Sequence, residues 1–94
     1  MRTLTLKDGT QYELDWCNGD KGILYANIIT DASIAELAGV FGDEDRTSVI
    51  HADLGSSFEK TYEGYTKLQS ISVGSWSTGT TLITLYTPER EAIG

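Results

Sequence analysis

Leucine and threonine alternate through Thr3-Leu4-Thr5-Leu6, and beyond Lys7-Asp8-Gly9 the pattern resumes with Tyr12, Leu14 and Trp16 set between Gln11, Glu13 and Asp15. Successive side chains of a strand point to opposite faces, so this period of two predicts two half-buried strands joined by a tight turn. A two-residue Asp8-Gly9 loop would send the two apolar rows to opposite faces. A three-residue loop with Gly9 in the left-handed conformation pairs Leu6 with Thr10 and Leu4 with Tyr12, placing all the large apolar side chains on one face. The second arrangement is the expected one.

After the polar stretch Asn18-Gly19-Asp20-Lys21-Gly22, both alternating rows of the run from Ile23 to Ile29 are apolar, as in a central strand buried on both faces with the helix covering one of them. Ser33 followed by Glu36 is a capping-box pattern, with Asp31 adding negative charge near the positive end of the helix. Ile34, Leu37, Ala38 and Phe41 then form one stripe, and Gly42 suits the left-handed position past the end. A helix of about nine residues, 33–41, is predicted.

Asp43-Glu44-Asp45-Arg46 reads as a polar turn. Further strands are expected at Thr47 to Ala52, Ser57 to Tyr62, Tyr65 to Val73 and Thr80 to Thr87. At the Glu63-Gly64 turn, the longer hairpin loop is favoured because it sets Glu59 opposite Lys67. Pro88 ends the last strand, leaving residues 89–94 as a loose tail after a single β-rich domain, 1–88.

A chain of 94 residues has room for one core, and so small a domain makes oligomer formation plausible though not required. Its net charge of -7 disfavours binding to nucleic acid and to anionic membrane surfaces. Cys17 is the one cysteine, which rules out an intrachain disulfide and a thiolate zinc cluster; beside Trp16 it reads as a small packed hydrophobe. Met1 to Lys7 lacks the apolar stretch of a signal peptide, and no run reaches the roughly 18 apolar residues of a membrane span, so cytoplasmic synthesis is expected.

Chemistry-bearing motifs are sparse. His51 has no Ser or Cys and carboxylate fixed around it by sequence, and is expected to be a solvated or singly hydrogen-bonded strand histidine. Asp43, Glu44 and Asp45 lack the alternating ligands of an EF-hand, Glu36 is accounted for by its capping position, and no glycine-rich phosphate loop opens a strand-loop-helix unit. No catalytic residue, metal ligand or cofactor is expected. Trp76, in Gly74-Ser75-Trp76-Ser77-Thr78-Gly79, is the candidate contact residue, either exposed at a loop or folded over the core. Tyr62 and Tyr65 flank the other hairpin turn, and the two tips at one end would form an aromatic patch suited to a protein or a sugar.

Leu6-Lys7-Asp8-Gly9-Thr10, Asp15-Trp16-Cys17, the segment Ser33 to Phe41, and Tyr62-Glu63-Gly64-Tyr65-Thr66-Lys67-Leu68 together give a likeness over roughly residues 4–86. In these the chain resembles small uncharacterised proteins encoded among virion structural genes of prophages in Gram-positive gut bacteria. The resemblance implies a virion- or tail-associated accessory part, assembled into the particle, whose work is docking; it carries over no functional residues.

The fold expected is α+β, mainly antiparallel β, a sandwich or partly closed barrel of about seven strands with one short helix. The function expected is a non-enzymatic structural or protein-interaction module, with other proteins or further copies of itself as partners. Two alternatives stand beside it: a carbohydrate- or ligand-binding module using exposed aromatics, and an acidic inhibitor of a host enzyme.

Overall fold

A computed structural model describes residues 2–55, 58–74 and 77–88. Seven strands form one antiparallel sheet: β1 (Thr3–Leu6), β2 (Gln11–Asp20), β3 (Ile23–Ile29), β4 (Val49–Gly55), β5 (Phe58–Glu63), β6 (Lys67–Val73) and β7 (Thr80–Tyr86). Between β3 and β4 come two short helices, α1 (Ile34–Phe41) and α2 (Glu44–Thr47). The strand order is β5-β4-β1-β2-β3-β7-β6, and the sheet is not closed.

The first turn forms as its chemistry dictates. Gly9 has φ +93°, the Leu6 N–H donates to the Thr10 carbonyl at 2.8 Å, and Leu4 faces Tyr12. Asp8 accepts from the Thr10 N–H at 3.0 Å, and hydrogen bonding from the Thr10 side chain and then from its backbone lowers the Asp8 carboxyl pKa.

Strand β2 then departs from simple alternation. Leu14 faces Ile28 but Trp16 faces Asn27 and Cys17 faces Ala26, so a bulge inserts Asp15 as an extra residue. The bulge moves Trp16 off the row of Tyr12 and Leu14, where alternation had placed it, and turns Cys17 into the core. A bulge also bends its strand, and β2 uses the bend to pair with β1 through its first residues and with β3 along most of its length.

Sheet curvature follows from the connections. β5 and β6 are successive in the chain yet stand at the two ends of the strand order, joined by Gly64-Tyr65-Thr66. Four Cα–Cα steps span at most about 15 Å, whereas six strand spacings in a flat sheet amount to about 29 Å. The sheet therefore curls into a sandwich-like shell around Leu4, Leu14, Leu24, Ile28, Ile50, Ile83 and Leu85, all buried. The expected β5–β6 hairpin, with Glu59 opposite Lys67, does not form: Glu59 pairs with Asp53 and Lys67 with Tyr86. Turn chemistry identified the bend at Gly64, with φ +85°, but partner choice was decided by the curl of the whole sheet.

Helix α1 is capped by Ser33, whose Oγ accepts from the Glu36 N–H at 3.1 Å. Leu37 and Phe41 enter the core and Val40 packs against it, while Ile34 is 53% exposed and Ala38 is also exposed, so the buried stripe is narrower than expected and rotated. Gly42 is right-handed rather than left-handed, because the chain turns directly into α2. The acidic stretch expected as a turn is this second helix, with Asp43 as its cap. α1 packs against β6 and sets Phe41 against Tyr12, with ring centroids 5.4 Å apart. Consequently the second row of β3 is not covered by the helix: Tyr25 and Ile29 are exposed, and only Asn27 on that row is fully buried. The expected tail, 89–94, lies outside the described residues.

Candidate functional site

Strand β5 is the open side of the shell. Among the described residues its one extended neighbour is β4, and every residue but Tyr62 is exposed, whereas β6 at the opposite edge packs against α1. The Gly64 N–H donates to the Ser48 carbonyl at 3.1 Å, which sets the phase of the β4–β5 ladder. Lys60 and Tyr62 therefore exchange hydrogen bonds with β4, and Glu59, Thr61 and Glu63 turn their N–H and C=O groups to the other side, where no described strand pairs with β5.

Side chains give this edge two different faces. The inner row is Phe58, Lys60 and Tyr62, with Phe58 54% exposed and Tyr62 buried. The Lys60 Nζ lies 5.2 Å from the centre of the Tyr62 ring, a cation over an aromatic face. On the outer face, register aligns Glu13, Thr3, Asp53 and Glu59 in one row and Gln11, Thr5, His51 and Thr61 in the next. Three carboxylates thus share one row across four strands.

His51 bridges the two strands. Its Nδ1 is 3.0 Å from Thr61 Oγ1 and its Nε2 is 2.9 Å from Glu59 Oε1. A histidine between a hydroxyl and a carboxylate has the connectivity of a base between nucleophile and orienter. Here the three project from the solvent face of an edge hairpin, with the His51 and Glu59 side chains 41% and 57% exposed, so the group clamps β5 to β4 rather than excluding water from a reaction. Sequence reasoning missed both partners, since their positions relative to His51 follow only from the β4–β5 register.

Of the residues singled out from sequence, the two tyrosines do not form an exposed patch. Tyr62 belongs to the core, and Tyr65 is half-buried with its ring edge-on to Tyr62 at 5.8 Å. Burial pushes the Tyr62 hydroxyl up from its ordinary pKa. Trp76 lies outside the described residues. Cys17 is buried, and desolvation pushes its thiol up to about 12, against a smaller opposing effect of Lys60. The acidic residues around α2 hold cations: Arg46 reaches Asp8 at 3.0 Å and Asp43 at 3.5 Å, Lys7 reaches Asp45 at 3.4 Å, and Lys67 reaches Glu44 at 3.2 Å. Among the described residues no group of three or more His, Cys, Asp or Glu is placed to hold a metal ion, and no helix is long and apolar enough to cross a membrane.

The fold defines a class, a mainly antiparallel β protein with a curled, open seven-stranded sheet. Beyond that class, comparison with known proteins yields no match: no family model, curated protein or solved structure aligns significantly with the chain.

Proposed function

We propose that this chain is a non-enzymatic docking module, of the kind that serves as an accessory part of a phage virion or tail. The observation that carries the reading is the edge of β5, free among the described residues, which offers the backbone groups of Glu59, Thr61 and Glu63 to a partner. Native edges of this kind are blunted or used, and an open edge beside an acidic face is suited to recognition of another protein. The sequence resemblance to products of virion structural genes supports the same direction.

The same face also favours a second reading. Glu13, Asp53 and Glu59 in one row, on a chain of net charge -7, suit an acidic inhibitor that covers a basic surface of a host enzyme.

Amide hydrogen exchange on dilute protein, with solution mass followed by light scattering, tests the docking reading. Outward amides of Glu59, Thr61 and Glu63 exchanging far faster than the β3 amides support it. Exchange as slow as in β3 in the monomer would mean the edge is already covered, and the reading would be lost. A closed oligomer of fixed mass would assign the edge to further copies of the chain.

A further inference from the structure

The free edge of β5 carries enough chemistry to name what it takes. We propose that β5 is extended by a strand from a different protein, one that alternates basic side chains on the outer face with apolar side chains on the inner face. This rests on the docking reading above and goes further by specifying the partner.

Charge decides against a second copy. Antiparallel pairing of β5 with itself about a two-fold axis must keep residues of one face together, so its centre falls on a residue, and of these only Lys60 and Thr61 pair most of the strand Phe58–Glu63. The first sets Lys60 against Lys60, and the second sets Glu59 against Glu63 twice over. Like charges directly opposite each other are destabilising in a sheet.

The same groups favour a basic strand. A partner residue on the outer face meets Glu59, Thr61 or Glu63, with Asp53 and Glu13 behind them in the Glu59 row. On the inner face, Phe58 is 54% exposed at the end of the row and Leu54 packs at the margin of the core, so an apolar partner side chain removes apolar surface from water. Backbone hydrogen bonds along the edge supply affinity, and the two faces supply selection.

The probe is a blocked eight-residue peptide of alternating lysine and valine, with alternating glutamate and valine as its control. The lysine peptide should bind at least about tenfold tighter, weaken about tenfold between 50 and 500 mM NaCl, and slow exchange of the Glu59, Thr61 and Glu63 amides about tenfold. Thr61→Pro removes an outward N–H and no backbone bond of the β4 ladder, though it also loses the Thr61 Oγ1 contact with His51, and should abolish binding where Thr61→Val, which loses that contact alone, should not. The double variant Glu59→Lys, Glu63→Lys should reverse the preference to the glutamate peptide, and it carries the test if Thr61→Pro does not fold. Generalised attraction of a cationic peptide to an acidic protein would survive Thr61→Pro, and that result overturns the proposal. So does equal binding of the two peptides, or none. If the outward amides exchange fast yet neither peptide binds, the partner chemistry falls alone; if they are slow in the free protein, the docking reading falls with it.

Discussion

The ring of Tyr62 lies directly on the α-carbon of Gly19, so that a β-carbon at position 19 would stand 2.9 Å from Tyr62 Cδ1 and closer still to Cε1. Tyr62 is on β5 and Gly19 on β2, three places apart in the strand order, and the contact exists because the sheet curls. This is where the edge strand is pinned to the core. Glycine is needed at 19 for room rather than for its backbone freedom.

Gly19→Ala should therefore destabilise the fold by about 1–3 kcal/mol through overpacking. In a Tyr62→Ala background the same change should cost much less, because the ring it strikes is gone. Chemical denaturation of the four proteins in the double-mutant cycle measures the coupling, and additive costs would show that the two residues do not meet.

Leu37→Ala and Phe41→Ala should each cost about 2–5 kcal/mol, since both side chains are fully buried on the core side of α1. Ile34→Ala, on the same helix but 53% exposed, should cost less than about 1 kcal/mol. Equal losses at 34 and 37 would restore the wider stripe that sequence spacing had suggested.

Asn27 is fully buried and donates its Nδ2 to Asp15 Oδ2 at 3.0 Å, while its Oδ1 has no partner among the described residues. Asn27→Asp sets a second carboxylate against the first in a desolvated position and should cost on the order of 2–4 kcal/mol at pH 7. Protonation relieves the repulsion, and a carboxyl so destabilised protonates above its unfolded value, so the variant should regain stability relative to the parent as pH falls from about 7 towards 4. A pH-independent deficit in thermal melts would argue against a direct contact.

Cys17 is held protonated by burial, its thiol pushed from 9.0 up to about 12. At pH 8 the thiolate fraction of the native state is then about a thousandfold lower than for the ordinary thiol, and alkylation by iodoacetamide should be slower by at least that factor than in denatured protein. The sign for stability follows from the same shift. A proton bound more tightly in the folded state means the stabilisation is complete below pH 9 and is lost as pH rises from 9 towards 12. Cys17→Ala should flatten that part of the alkaline decline; an unchanged decline would assign it to other groups.

Local rules were enough for several elements. Alternation around Gly9 specifies the β1–β2 hairpin and its pairing of Leu4 with Tyr12, and the Ser33 cap specifies where α1 begins, because turn geometry and unsatisfied helix N–H groups are problems solved within a few residues. The antiparallel, one-helix-dominated character of the chain was legible for the same reason. What lay beyond reach were the decisions made between distant residues. The bulge at Asp15 reverses the faces of Trp16 and Cys17 because β2 must bend to serve both halves of the shell. The strand order separates β5 from β6 although they follow one another, and so determines which edge is open, which tyrosine is buried and which carboxylate meets His51. Those outcomes depend on the closure of a curved sheet around a single core. Sequence alone determined the hydrogen bonds of the first turn and of the α1 cap; the long-range packing of the apolar face decided what was left exposed for a partner.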